Sequence, residues 1–185
     1  MTFPWDELNV IRSQLEDQEL AETAENGNKK YNAERCIDIV YEYLEMAWTM
    51  GVDNVNENLS TSFAPKDDEM RSAIYQKVDG KDFTERIREW AEKGDLGAIE
   101  RVAETDAHRV LNEASMNTAK KAGAKQKTWV TMMDDRVRET HDYLQAMTIG
   151  IDDYFVTFDG DKALAPGGFE LAENNVNCRC VLTFA

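Results

Sequence analysis

Apolar residues recur at three- and four-residue steps through long stretches of the first two thirds of this chain. The longest stripe runs from Ile37 to Val55, and its period is that of an amphipathic helix. Gly51 interrupts the stripe, but one glycine destabilises a helix by only about 1 kcal/mol relative to alanine. A second stripe begins after Asp95, a capping residue, and continues until Gly123, a residue type typical of helix ends. The pattern therefore predicts a largely helical N-terminal part.

Two further helices are indicated by their ends. Pro4 is tolerated in a first helical turn, and the incomplete apolar stripe behind it predicts a helix that ends near Ala24. Asp82 and Glu85 have the spacing of a capping box, which predicts a helix over residues 83–93.

In the last third of the chain, the spacing of apolar residues changes from a helical period to the alternation of a strand. Residues 129–133 alternate aromatic, β-branched and apolar side chains, which favours a half-buried strand. Asp134 or Asp135 can cap a helix directly after it, and His141 then lies on the inward stripe of that helix. A period of two over residues 176–184 predicts a final strand. Cys178 and Cys180 share one face of that strand, and Arg179 lies on the other.

Residues 154–158 are β-prone and are followed by Asp159-Gly160, which predicts a strand and a turn. A second turn is predicted at Pro166-Gly167-Gly168. We therefore expect the α+β class: a mainly helical N-terminal part followed by a small C-terminal sheet with one packed helix. We divide the chain into a helical region, 1–94, and a C-terminal domain, 95–185.

The net charge of −15 comes from 36 acidic and 21 basic residues. A free-standing nucleic-acid binder needs a concentrated basic surface, so this balance argues against that class. One window between residues 117 and 133 carries lysines and no acid. Any contact with DNA is expected to be weak, salt-sensitive and confined to Lys120, Lys121, Lys125 and Lys127. The favourable interaction of lysines with the dipole of a helix C-terminus is the preferred explanation of this window.

Three cysteines cannot form the disulfide framework of a small secreted protein, which favours a reducing compartment. No apolar run approaches the roughly 20 residues that a membrane span requires. We therefore expect a soluble protein without membrane contact.

The residues that carry candidate chemistry are His141, Cys178 and Cys180, which are the ligand types of a tetrahedral zinc site. No clean fourth ligand is evident; Asp134, Asp135 or the distant Cys36 are the options. Two other interpretations stay open. In the first, both cysteines are small buried hydrophobes and His141 is a core histidine whose hydrogen bonds are satisfied. In the second, His141 activates a cysteine nucleophile, although no oxyanion hole is evident.

The residue order in the last third resembles the Mu F-like (SPP1 gp7-like) minor head proteins of tailed bacteriophages. The resemblance covers roughly Ile99 to Val181. The residues that carry it are Trp129, Asp134 or Asp135, Val137, Arg138, His141, Phe155, Pro166, Gly167 and Asn177 to Cys180, with an upstream helix containing Ala103 to Asp106 and Asn112 to Ala114.

The resemblance implies a minor capsid or head morphogenesis protein of a phage or prophage. Such a protein acts by binding near the portal vertex and is not an enzyme. Its partners would be portal or capsid proteins, and its location the virion, after assembly in the host cytoplasm. Trp129, Asp134, Arg138, Pro166, Gly167 and Asn177 are then expected to have structural roles, with Arg138 joining its helix to the final strand through a carboxylate.

Two rival functions are a prophage-encoded effector enzyme that uses His141 with a cysteine, and a zinc-stabilised adaptor outside the virion. The N-terminal helices are expected to provide the docking surface through a leftover apolar stripe. On this division of labour, the C-terminal domain should stay folded without them.

Overall fold

A computed structural model describes residues 21–23 and 29–185, with side chains from Lys30 onward. The helices are α1 (Ala33–Leu59), α2 (Asp67–Ile74), α3 (Phe83–Lys93), α4 (Leu96–Ala122), α5 (Glu139–Asp142) and α6 (Ala172–Asn175). The strands are β1 (Ala21–Thr23), β2 (Lys29–Tyr31), β3 (Gln126–Val130), β4 (Thr148–Gly150), β5 (Phe155–Val156), β6 (Lys162–Ala163) and β7 (Val181–Phe184). The fold is α+β, as predicted. Within the described residues, no helix is long and apolar enough to cross a bilayer.

Local side-chain chemistry sets the ends of the long helices. The Asp82 carboxylate accepts the Glu85 amide N–H, and the Glu85 side chain accepts the Asp82 N–H, so the predicted capping box opens α3. At the start of α4, the Asp95 carboxylate accepts the Ala98 amide N–H. Gly94 and Gly123 follow α3 and α4 with φ angles of +69° and +82°, which glycine adopts without steric cost.

Helices α1 and α4 form the main helix pair. A Cβ atom on Gly51 would lie 2.2 Å from the Leu111 carbonyl oxygen, so only glycine permits this close approach. The Ser115 hydroxyl donates to the Gly51 carbonyl at 3.0 Å. Gly51 therefore serves the helix contact and does not end α1, which continues to Leu59.

Residues on both sides of the predicted boundary at residue 94 contribute to one buried cluster. Apolar residues of α1, α2, α3 and α4 share one buried cluster, and Val181 of β7 belongs to it. The amide of Asn54 on α1 donates to the Leu182 carbonyl at 3.0 Å. A second apolar cluster surrounds Trp129 and includes Val55 of α1. Helix α1 therefore contacts both the helical layer and the C-terminal sheet.

The C-terminal sheet has the order β4-β3-β7, with both neighbours antiparallel to β3. Trp129 of β3 faces Leu182 of β7 across the ladder. Strands β5 and β6 form a separate hairpin in which Phe155 pairs with Ala163. The turn between them includes the predicted Asp159-Gly160 pair.

Several predicted elements are shorter than expected. The final strand begins at Val181, because its partner β3 ends at Val130, which pairs with Val181. The helix expected after Asp134 is reduced to the four residues of α5. Residues 21–23 form β1, not the end of a helix. The rest of that predicted helix, up to residue 20, lies outside the described residues.

Candidate functional site

His141, Cys178 and Cys180 meet in the C-terminal core. The Nδ1 atom of His141 lies 3.5 Å from Cys178 Sγ and 3.4 Å from Cys180 Sγ. The exposed fractions of these three residues are 2%, 5% and 3%, so the cluster is closed to solvent. The other ring nitrogen, Nε2, is buried without a hydrogen-bond partner among the described residues. His141 is therefore not a histidine whose polar atoms are satisfied by the core.

Aromatic rings fix the plane of the imidazole. Phe169 stacks on His141 with a centroid distance of 5.3 Å, and Trp129 meets it edge-on at 5.3 Å. Trp129 is fully buried and also packs against Phe155. Ring packing of this kind orients His141 although α5 is only one turn long.

The two cysteines approach the cluster from an extended segment before β7. Asn177 reverses the chain in the left-handed conformation, which asparagine tolerates better than most residues. The Cys178 amide then donates to the Asn175 carbonyl at 3.1 Å. Although this segment is not paired as a strand, it directs both sulfur atoms inward, as the alternation predicted.

Helix α4 contributes a residue that the sequence analysis missed, His108. It is 1% exposed, and it contributes to lowering the pKa of the Cys178 thiol. Asn112, one turn later, places its amide nitrogen 3.1 Å from His108 Nε2 and donates to the Cys180 carbonyl at 3.2 Å. The available signal was simple: the chain has only two histidines.

The two thiols have opposite acidities. Burial raises the pKa of Cys178, but hydrogen bonds from Cys180, His108 and His141 more than offset this, and its pKa falls well below the usual range. The hydrogen bond to Cys178, with burial, raises the pKa of Cys180. Cys178 is therefore the more acidic of the two thiols.

An ion pair holds the loop before α5 against the cysteine segment. Asp134 does not cap a helix; its two oxygens accept hydrogen bonds from Arg179 at 2.6 and 2.8 Å. This contact lowers the pKa of Asp134 to about 2. Among the residues that the structure describes, Arg138 contacts no carboxylate, contrary to our expectation, and instead donates to the carbonyls of Asn174 and Val176. The arginine that binds a carboxylate is Arg179.

Asp161 is a second buried polar residue that the sequence analysis missed. Its carboxylate accepts the backbone N–H groups of Glu170 and Leu171 and the side-chain amide of Asn174. Burial acts against the charged form, but these hydrogen bonds lower its pKa overall. Asp161 thus fixes the loop that leads from the β5–β6 hairpin to the cysteines.

The Pro166-Gly167 turn packs on α4. Gly167 has a φ of +86°, and a Cβ atom there would lie 3.0 Å from the Cα atom of Arg109. Both the backbone conformation and the close approach therefore require glycine.

The predicted lysine window is not one surface. Lys127 is fully buried and donates to the carbonyls of Ile151 and Leu164, so it cannot contact DNA. Lys120 pairs with Asp152 at 2.8 Å, and Lys121 pairs with Glu69. Lys125 is exposed. Alternation along β3 explains the correction, because Lys127 shares the buried face with Trp129.

The space beside the cluster is too small for an organic substrate. A cavity of about 10 Å³ touches His141, Cys178 and Cys180, which is room for about one water molecule. A cysteine nucleophile needs an approach path for its substrate, and this geometry gives none. The site can accommodate a single atom or ion.

The donor set fits zinc. With ideal bond lengths of about 2.3 Å to sulfur and about 2.0 Å to nitrogen, tetrahedral angles place those atoms about 3.5 Å apart, close to the two distances measured here. The suggested fourth ligands do not complete the set. Asp134 is bound to Arg179, Asp135 is exposed, and Cys36 lies in the other core cluster.

Comparison with known proteins shows to which family the chain is related. The profile of the family described as Phage Mu protein F like protein matches residues 67–183. The chain belongs to this Mu F-like family. The resemblance inferred from Trp129, His141 and the closing cysteines is therefore confirmed. The matched range also includes His108. No solved structure matches the chain.

Two curated proteins are similar to parts of this Mu F-like chain. The minor head protein GP7 of Bacillus phage SPP1 is 35% identical over 85 residues, which are 44% of this chain and 28% of GP7. The NAD(+)--arginine ADP-ribosyltransferase EFV of Enterococcus faecalis is 31% identical over 109 residues, 55% of this chain and 22% of that protein. The similarity thus spans about a quarter of each relative.

Proposed function

We propose that this Mu F-like protein is a minor head protein of a tailed phage or prophage that binds near the portal vertex and does not catalyse a reaction. The observation that carries the proposal is the family match over residues 67–183, supported by the similarity to a phage minor head protein. By this proposal its partners are portal or capsid proteins. It would assemble in the host cytoplasm and remain in the virion.

The burial of the cysteine and histidine side chains supports binding over catalysis. The adjoining cavity of about 10 Å³ excludes a substrate, so the effector-enzyme alternative has no accessible nucleophile in this cluster. The similarity to an ADP-ribosyltransferase covers 22% of that enzyme. A match of this extent does not carry the activity of a whole enzyme to this chain.

An exposed apolar patch is the docking surface that we propose. Met133, Tyr143 and Phe158 are 76%, 56% and 60% exposed, and the last two rings touch edge-on. Asp134, Glu139 and Asp142 border the same depression. Exposed apolar residues with a polar rim are typical of protein interfaces. The acidic rim favours a basic surface on the partner.

This proposal moves the docking surface from the N-terminal helices, where we expected it, to the C-terminal part of the chain. The apolar stripe of α1 packs into the core, so it leaves no continuous apolar face for a partner. The part of the predicted docking region 1–94 that falls in residues 1–20 and 24–28 lies outside the described residues and stays a prediction.

Co-purification with the portal protein encoded by the same phage or prophage tests the proposal. The wild-type chain should bind the portal, and the double substitution Tyr143→Ser with Phe158→Ser should reduce binding at least about 10-fold, since interface aromatics commonly contribute more than 1 kcal/mol each. Met46→Gln, which changes an exposed apolar residue of α1, should bind normally.

Two results would contradict parts of this proposal. If purified particles lack this protein and the protein does not bind the portal, an adaptor role outside the virion would be favoured. Normal binding by the Tyr143/Phe158 variant would place the docking surface elsewhere.

A further inference from the structure

Three buried side chains of metal-ligand type converge from two segments that are distant in the sequence. The ligand atoms of His141, Cys178 and Cys180 all lie within 4.8 Å of one another. Among the described residues, no other histidine, cysteine, aspartate or glutamate belongs to a group of three or more at such distances. An ion at this point would therefore have three ligands from the protein.

Hydrogen bonding alone does not account for the positions of both sulfur atoms. A neutral imidazole nitrogen accepts one hydrogen bond through its single lone pair. Cys178 Sγ and Cys180 Sγ nevertheless lie at almost equal distances from His141 Nδ1, 3.5 and 3.4 Å, so only one of the thiols can donate to this atom. Tetrahedral zinc with ideal bond lengths requires about 3.5 Å between nitrogen and sulfur and about 3.8 Å between the two sulfur atoms. A cation between the three atoms would coordinate all of them at once.

The space next to the three ligands decides what the fourth ligand can be. The cavity that they line has a volume of about 10 Å³. Its other lining residues are Met132, Arg136, Val137, Arg138, Asn177 and Arg179. None of these side chains offers a carboxylate, a thiol or an imidazole, and the guanidinium groups are donors only. The space holds about one water molecule, so water is the fourth ligand that this geometry favours.

We propose that His141, Cys178 and Cys180 bind one zinc ion through Nδ1 and two thiolates, with a water molecule as the fourth ligand. Both thiols lose their protons to solvent on binding, so the two thiolate charges balance the charge of the ion. Three protein ligands and a water are also found in catalytic zinc sites, but this cavity leaves no room for a substrate beside the water. The ion is therefore structural. This inference is independent of the proposed docking function.

The ion would strengthen a junction that the protein also holds by other contacts. His141 lies on α5, and the two cysteines follow 37 and 39 residues later, before β7. The ion pair of Asp134 with Arg179 and the hydrogen bonds of Arg138 join the same two parts of the chain. The metal-free protein should therefore stay folded at room temperature, but it should melt at a lower temperature than the zinc form.

Metal content of the purified full chain is the first test. Protein produced with added zinc and kept reduced should contain about one zinc per chain, and a strong chelator should lower its melting temperature. X-ray absorption at the zinc edge should show two sulfur ligands at about 2.3 Å and two lighter ligands at about 2.0 Å. Absence of bound metal, with a melting temperature that neither zinc nor chelator changes, would overturn the proposal. Three or more sulfur ligands would contradict the proposed ligand set.

Variants of similar shape test the individual ligands. His141→Phe keeps a ring next to Trp129 and Phe169 but removes the nitrogen, and Cys178→Ser replaces the sulfur atom. Each should lower zinc affinity by more than about 100-fold, because even groups that only support a ligand contribute 10- to 100-fold. Cys36→Ala is the matched control, since this buried cysteine lies in the other core cluster, and it should keep one zinc.

A measurement on the wild-type chain covers the case in which these variants do not fold. Cobalt(II) in place of zinc should give the strong visible bands of a tetrahedral ion and a near-ultraviolet thiolate charge-transfer band. Cobalt(II) bands without the thiolate band would show that the cysteines do not bind the ion, which would overturn the proposal. Unchanged zinc affinity in folded His141→Phe would remove His141 from the site and contradict the proposed ligand set.

Discussion

Lys127 is the residue whose environment differs most from its expected one. Its ammonium group donates to the carbonyls of Ile151 and Leu164 and lies 5.5 Å from the centre of the Phe155 ring. Burial, with a smaller contribution from the charge of Lys120, lowers the pKa of Lys127 from 10.5 to about 8. The folded state therefore favours the neutral amine more than the unfolded chain does.

This pKa shift predicts a pH dependence of stability. Below pH 8 both states carry the proton, and the buried charge lowers the free energy of unfolding. Between pH 8 and 10.5 the unfolded state binds more protons, so stability rises with pH, by up to about 3 kcal/mol in total. Urea unfolding of the wild type and of Lys127→Met, repeated across this pH window, measures the difference between their free energies of unfolding. A constant difference would mean that the two carbonyls keep Lys127 charged.

Unlike Lys127, Trp129 is expected to affect stability through packing alone. It is fully buried between His141, Phe155 and Phe169. Trp129→Ala should therefore lower the free energy of unfolding by about 3–5 kcal/mol. Trp90→Ala, at a half-buried position on α3, should have a clearly smaller effect in the same thermal melts. Equal losses would contradict the assignment of Trp129 to the core centre.

The environment of a residue could be predicted from the sequence where it depends on neighbouring residues, and not where it depends on residues distant in the chain. The burial of Trp129 follows from its size and its strand alternation. The same alternation buries Lys127, yet a buried lysine is tolerated only because carbonyls from residues 24 and 37 positions away accept its hydrogen bonds. No local pattern contains that information. His108 was missed for the same reason, since its neighbour Cys178 is distant in sequence.

At the scale of elements, the contact of α1 with α4 gives a sharp prediction. Gly51→Ala would place a Cβ atom 2.2 Å from the Leu111 carbonyl oxygen and 2.7 Å from the Ala114 Cβ atom. The helices would have to separate, which should cost about 2 kcal/mol or more. Denaturant titration of the variant measures this loss.

Gly97 on α4 provides a matched control for Gly51. A Cβ atom at Gly97 would meet only the Asp95 carboxylate, at 3.6 Å. Gly97→Ala should therefore stabilise the protein by about 0.5–1 kcal/mol through helix propensity. Equal effects of the two substitutions would contradict the close packing of α1 on α4.

Helix boundaries were predictable because caps act within one turn. The capping box of α3 and the glycines after α3 and α4 were found where the sequence indicated. Strand boundaries were not, because short strands end where their partners end. The segment 176–184 has continuous alternation, yet only Val181–Phe184 pairs with β3.

For the whole molecule, the shared core predicts that the C-terminal domain depends on α1. Removing residues 1–60 would expose the buried face of α4 and leave the Leu182 carbonyl without its Asn54 donor. We therefore expect this truncated chain to lack a cooperative melting transition, in contrast to the independent folding that a docking role of the N-terminal helices implied. Circular dichroism with temperature tests this. A cooperative transition at the wild-type temperature would instead support the predicted domain boundary at residue 94.

The contact between α1 and β7 also has a consequence during synthesis. Asn54 and Leu182 are 128 residues apart, so at about 5–20 residues per second the ribosome needs roughly 6–25 seconds to provide the second partner. Through that interval α1 has left the ribosome without its final partner strand. Nascent chains stalled before Val181 should therefore stay protease-sensitive and bind chaperones.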